Sequence, residues 1–217
     1  MKIAKRFVLW VIPLVCLGGA DPRVTAGSDS AQSPRAEQAP GRRSAPQADA
    51  APAVLDLEGR PIDPFGAAKA KAVLLIFVCT DCPIANRYAP EIERLYESYR
   101  GRGIEFWLVY ADPRDDAGKI QKHLREYQYK VAAIRDPHHR LVNRCKVTKT
   151  PEAALIAPNG KQVYRGRIDD RITGYGKSRK APMRRDLQEA IDSVLGGRPV
   201  RVATTDVVGC FIPDAEQ

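Results

Sequence analysis

Apolar residues along this chain fall into runs of two kinds, and the kinds alternate. VLDLEG followed by PIDPF reads as a short strand and turn. AVLLIFV, residues 72–78, is a continuous apolar run of strand length, which predicts a strand buried on both faces, as in a parallel sheet. From Pro83 to about Tyr99 the apolar residues Ile84, Tyr88, Ile92, Leu95, Tyr96 and Tyr99 recur at helical spacing, and GRG ends the helix. IEFWLVYAD is the next apolar strand. Residues 119–127 predict a helix with Ile120, His123, Leu124 and Tyr127 on one side. VAAIRD reads as a short strand and 138–144 as a helix. EAALIA and KQVYRGRI flank Pro158-Asn159-Gly160, a hairpin signature. Residues 184–195 form an amphipathic helix with Leu187, Ile191, Val194 and Leu195 together, stopped by Gly196-Gly197. No internal repeat is evident.

Strands joined by helices imply a parallel core with right-handed crossovers, closed here by an antiparallel hairpin and a last helix. The expected class is therefore α/β, a central mixed sheet flanked by helices. With 217 residues, 44% of them apolar, the chain has enough material for one globular domain plus extensions. The extensions come first. MKIAKRFVLWVIPLVCLGGA has a basic start, a short apolar middle and a small-residue end, the shape of a secretory signal over residues 1–20. Its apolar run is shorter than the roughly 20 residues of a spanning helix, which favours cleavage over retention as a membrane anchor. Pro13-Leu14-Val15 ahead of Cys16 fits a lipidation box poorly, because a small residue is usually wanted at the last of these positions. Residues 21–52, rich in Ala, Pro, Ser, Gln and Arg and devoid of aromatics, cannot bury enough apolar surface to offset ordering entropy and predict a flexible tether. The folded domain is expected over residues 53–213. Localisation follows: exported, periplasmic or otherwise extracytoplasmic, with membrane tethering if the N-terminus stays uncleaved.

Charge changes the picture little. The formal net charge is +9, but the basic residues are scattered over the tether, the loop at Lys177 to Lys180 and the pair Arg184-Arg185, with no aromatic interleaving. This describes a solvated basic surface and argues against nucleic acid as a partner.

The chemistry concentrates in FVCTDCPIAN, residues 77–86, where Cys79 and Cys82 stand three apart. The thiolate is the nucleophile in thiol exchange, and a free thiol at neutral pH is mostly protonated. A cysteine at a helix N-terminus faces unpaired backbone N–H groups and the positive end of the helix dipole, and both favour the anion. Pro83 suits the first helical position, which puts Cys82 at or near the N-cap. Asp81 is expected to work against this, since a nearby carboxylate disfavours a thiolate. Beyond the signal, the other cysteines are Cys145 and Cys210. An exported compartment tolerates disulfides, and spacing alone favours only Cys79 with Cys82.

These features together resemble the thioredoxin-like superfamily, in particular its bacterial redoxin branch, the alkyl hydroperoxide reductase/thiol-specific antioxidant-like proteins. The resemblance covers about residues 53–213. It is carried by Cys79/Cys82-Pro83, Thr150-Pro151, Tyr164-Arg165-Gly166 and Gly209-Cys210. It implies a thioredoxin-like fold with Thr150-Pro151 as a cis-proline loop facing the cysteines, whose backbone can pair with a bound substrate as a short strand would. The resemblance also implies that the attacking cysteine precedes the helix proline by about eight residues, with a partner three residues after it. Eight before Pro90 is Cys82, and three after Cys82 is Ala85. The usual partner position is thus empty, which makes Cys82 the expected nucleophile and Cys79 an unusual resolving partner. The other register makes Cys79 the attacker and stretches the distance to Pro90 to eleven residues.

Cys145 reads as a buried small hydrophobe. Cys210, in TTDVVGCFIP, is open to three readings: a second resolving thiol reaching back to the site, a disulfide partner of Cys145, or a free thiol in a packed tail. His138 and His139 read as a polar first turn, His123 as structural, and Asp169-Asp170 as a strand end. The leading function is an exported thiol–disulfide oxidoreductase without cofactor. Its expected partners are protein or small-molecule thiols and disulfides and a membrane or soluble thiol electron donor. A thiol peroxidase is the first alternative, weakened because neither position three residues before a cysteine, Ile76 or Cys79, supplies a hydroxyl. A Cu(I) chaperone is the second, with Cys79, Cys82 and a histidine as ligands, although such chaperones space their cysteines four apart. A four-cysteine zinc site would need two close pairs, and there is one.

Overall fold

The computed structural model describes residues 54–66 and 69–215; the expected signal and tether lie outside the described residues. A sheet of order β3-β2-β1-β5-β6 forms the centre. Its strands are β1 (Ala72–Val78), β2 (Ile104–Tyr110), β3 (Ala133–Arg135), β5 (Glu152–Ile156) and β6 (Gln162–Gly166). β1, β2 and β3 run parallel; β5 and β6 are antiparallel additions. The sheet is therefore mixed, as the alternation of runs predicts. Every residue of β1 is buried, because β1 is the middle strand and both its faces are covered. Leu74, Ile76 and Val78 pack with α1 residues such as Ile92 and Leu95, whereas Leu75 and Phe77 join a second cluster that holds Leu141 and Cys145.

The helices are α1 (Pro83–Tyr99), α2 (Ala117–Glu126), α3 (Arg140–Cys145) and α4 (Asp186–Leu195). α1 accommodates Pro90 in its interior and ends at Arg100, with Gly101 at φ +76° just beyond. α3 starts two residues later than its sequence pattern suggests. His139 sits in a left-handed conformation ahead of it, and the cap is supplied from further back. The buried Asp136 carboxylate accepts from the N–H groups of Arg140, Leu141 and Val142 at 2.8–3.0 Å. VLDLEG is reduced to an isolated bridge at Leu55, which pairs with Pro61 and Arg135.

Four short strands escape the apolar pattern: β4 (Lys149–Thr150), β7 (Ile172–Gly174), β8 (Lys177–Ser178) and β9 (Cys210–Phe211). β9 lies antiparallel on β4, with Thr150 opposite Cys210. The tail reaches that position by running along β6. Arg165 N–H donates to Ala203 O at 2.9 Å, Thr205 N–H donates to Arg165 O at 3.1 Å, and Thr205 Oγ1 lies 2.9 Å from the Tyr164 hydroxyl. Gly166, at φ +150°, is required there, since a Cβ would overlap the Thr205 backbone, its carbonyl oxygen at 2.7 Å.

Asp136→Ala leaves three amide donors of α3 without their acceptor and is expected to cost about 1–3 kcal/mol, read as a lower urea midpoint with an unchanged m-value.

Candidate active site

β1 ends at Val78, and the four residues before α1 carry both cysteines of the motif. Cys82 is the N-cap of α1, with extended backbone angles (φ −86°, ψ 106°), and its sulfur accepts from Ala85 N–H at 3.3 Å. Pro83 takes the first helical position. The loop is fixed from two sides. Asp115, only 1% exposed, accepts from Thr80 N–H at 3.0 Å and from the Thr80 hydroxyl at 2.6 Å. Asn86 Nδ2 donates to Thr80 O at 3.0 Å, leaving its Oδ1 to accept from His123 Nε2, 2.8 Å away. Nε2 of His123 then carries the proton, so Nδ1, 2.8 Å from the Tyr110 hydroxyl, is the acceptor. Burial lowers the His123 pKa, in keeping with this neutral form. His123 is thus structural, but it acts on the cysteine loop through Asn86.

Three sulfurs meet around Cys82. The Cys79 thiol, on one side, is the main cause of the low Cys82 pKa, which lies far below the ordinary thiol range. Burial opposes it, and donation from Cys210, the Thr150 hydroxyl and Ala85 N–H adds to it. Cys210 Sγ is 2.7 Å from Cys82 Sγ. The Thr150 carbonyl, 3.2 Å from Cys82 Sγ, accepts only from a protonated thiol and pulls the other way; the donors outnumber it. The cost falls on the partners. Hydrogen bonding to the Cys82 thiolate, then burial, raises Cys79, and burial first, then the same thiolate, pushes Cys210 up to about 12.

The expected opposition from Asp81 does not materialise. Its carboxylate pairs with Lys119 Nζ at 2.9 Å, and Lys119 also reaches Asp115 at 3.0 Å. That cation, 38 residues away in sequence, neutralises the acid beside the thiolate.

Thr150-Pro151 is cis. The loop faces the cysteines, with Thr150 Oγ1 3.8 Å from Cys79 Sγ. Its strand edge, however, is not open: β9 occupies it. Gly209 makes this approach possible, since a Cβ there would lie 2.9 Å from the Thr150 carbonyl carbon. Tyr175 OH donates to Gly209 O at 2.7 Å, and Lys149 Nζ donates to Val207 O at 3.2 Å and lies 5.1 Å from the centre of the Phe211 ring. Cys82 is 1% exposed, whereas Phe211, next to Cys210 in the chain, is 72% exposed. Cys145 is fully buried in the second core cluster, where burial raises it to about 12, and it joins none of the other sulfurs. Of the open readings of Cys210, the structure brings its sulfur to Cys82, while Cys145 lies in the other core cluster.

The remaining candidates serve the scaffold. His139 Nε2 lies 2.9 Å from Ala111 O. Asp169 accepts from the Tyr88 hydroxyl at 2.7 Å, and Asp170 accepts from the N–H groups of Met183 and Arg184. Among the described residues, no group of three or more His, Cys, Asp or Glu is arranged to hold a metal ion.

A sheet of this order, a cysteine at the head of α1 and a cis-proline loop against it define a thioredoxin-like redoxin. The chain belongs to the AhpC/TSA family, whose sequence profile matches residues 42–165. It is 28% identical over 127 residues to the thiol-disulfide oxidoreductase ResA of Bacillus thuringiensis, a match covering 57% of this chain and 72% of that one. The ResA of Halalkalibacterium halodurans is also 28% identical, over 108 residues, covering 50% and 60%. Two solved structures share the fold at 22% identity. They are a hypothetical protein of Sinorhizobium meliloti 1021 (TM-score 0.64, covering 73% of this chain and 88% of that one) and a conserved protein of Geobacillus kaustophilus (0.66, 76% and 89%).

The lowered Cys82 pKa gives a direct expectation. Thiolate ultraviolet absorbance of the reduced protein persists as pH falls well below about 8.5, where an ordinary thiol has lost it. Cys79→Ser removes the main donor and moves that midpoint upward; Lys119→Ala, which uncovers Asp81 and Asp115, moves it upward by less.

Proposed function

We propose that this protein is an exported thiol–disulfide oxidoreductase in which Cys82 is the nucleophile and Cys79 its C-x-x-C partner. The observation that carries the reading is the Cys82 sulfur at the N-cap of α1, held as an anion by converging donors. As a thiolate, Cys82 attacks one sulfur of a client disulfide, expels the other as a thiol, and is left in a mixed disulfide. A neighbouring thiol then attacks the Cys82 sulfur and releases the client fully reduced. Cys79, which donates to Cys82 in the reduced state, makes that second attack in this reading. The same residues run the exchange backwards when the oxidised protein meets a dithiol; the relative reduction potentials set the direction.

The names of the ResA relatives support substrates that are protein or small-molecule disulfides and thiols. Thr150-Pro151 is the proposed substrate-binding loop. Export is supported by the basic, apolar and small-residue succession at residues 1–20. Against a peroxidase stands the residue three before Cys82, which is Cys79 rather than a hydroxyl-bearing Ser or Thr.

Reduction of a protein disulfide substrate with excess dithiol is expected to drop to background in Cys82→Ser. In Cys79→Ser it continues, slowed by the weaker thiolate. If Cys82→Ser keeps full activity and Cys79→Ser loses it, the attacker is Cys79. Peroxide consumption by the reduced protein that outpaces disulfide exchange assigns it instead to peroxide reduction.

A further inference from the structure

We propose that Cys210 is a second resolving thiol for Cys82, delivered by the C-terminal strand β9. The inference rests on Cys82 being the nucleophile.

The geometry comes first. Cys210 Sγ lies 2.7 Å from Cys82 Sγ, so forming the bond, at about 2.05 Å, needs only a small closure. The approach is built into the fold. Cys210 stands opposite Thr150 in a β-pair, so the residue that flanks the cis peptide sets where the tail sulfur points. Ile212 N–H donates to Thr148 O at 3.1 Å, extending the pairing on one side. On the other side Gly209 lets the tail backbone pass the Thr150 carbonyl at a distance no side chain tolerates. Tyr175 and Lys149 fasten the same stretch through Gly209 O and Val207 O. Five separate contacts thus hold one half-exposed cysteine against the most acidic thiol of the site, whereas Cys145, equally reduced, is kept apart.

The chemistry balances without another reagent. After Cys82 has attacked a client disulfide, its sulfur is bonded to a client sulfur and carries no charge. Cys210 loses its proton, and its thiolate attacks the Cys82 sulfur. The Cys82–client bond breaks, the Cys82–Cys210 bond forms, and the client leaves as a thiolate that takes up the proton. The client disulfide has gained two electrons, and the two protein thiols have lost them. The timing is favourable, because one of the two main causes that hold Cys210 protonated is the Cys82 thiolate, and that charge is gone in the mixed disulfide.

The test uses the full chain, reduced and then reacted with 5,5′-dithiobis(2-nitrobenzoate), whose first released thiolate reports attack and whose second reports resolution. The products are digested with trypsin. In the wild type and in Cys79→Ser, the peptide of residues 72–87 is expected to be found linked to that of residues 202–217. In Cys79→Ser/Cys210→Ser that link is absent, and the second release is at least about tenfold slower than in Cys79→Ser, the loss of a positioned intramolecular reactant. Gly209→Ala, combined with Cys79→Ser, keeps Cys82 and Cys210 but displaces the tail, and it is expected to slow the second release in the same sense. The proposal is overturned if Cys79→Ser yields no link to residues 202–217, or if Cys79→Ser/Cys210→Ser resolves as fast as Cys79→Ser. A first release that survives in Cys82→Ser is a different result: it removes the nucleophile assignment itself.

Discussion

A sulfur anion with almost no exposure to water has to be stabilised by donors, and around Cys82 those donors converge from stretches far apart in sequence. Ala85 N–H comes from the first turn of α1, Cys79 from the end of β1, Thr150 from the cis loop and Cys210 from the tail. Removing any of these contacts moves the balance toward burial, which favours the neutral thiol. Much of the architecture exists to keep the four in register. β1 delivers the loop from the middle of the sheet, Asp115 and Asn86 clamp Thr80 in that loop, and Asp136 organises the turn into α3 ahead of β4.

The same convergence explains why the three sulfurs differ although they touch. Each hydrogen bond that lowers one thiol raises the donor that makes it, so acidity at Cys82 is matched by reluctance at Cys79 and Cys210. The division leaves one sulfur acidic and the other two holding their protons beside it. Lys119 takes part from a distance by bridging Asp81 and Asp115, which keeps carboxylate charge from undoing the arrangement.

What the sequence disclosed followed the reach of its patterns. The apolar run of β1, the helical spacing of α1 and the Pro158-Asn159-Gly160 turn are local, and each appears where its pattern put it. Cys82 at the N-cap was legible too, from Pro83. Non-local features were not. Lys119 sits on α2, so nothing near Asp81 announced its partner. β9 comprises two residues, one of them exposed, and its pairing with β4 leaves no periodic trace in TTDVVGCFIP. What the sequence offered there was Gly209-Cys210, and the missing side chain of Gly209 turns out to be a clearance for the Thr150 carbonyl.

The edge of Lys149–Thr150 is already taken by the protein's own Cys210–Phe211. An incoming chain that uses that edge competes with a strand tethered to the same molecule, at an effective concentration no free peptide matches. Its measured affinity is then the intrinsic one scaled by the fraction of molecules with the tail lifted. Selection at that edge therefore begins before any side chain is read, because whatever pairs there has first to displace an internal strand.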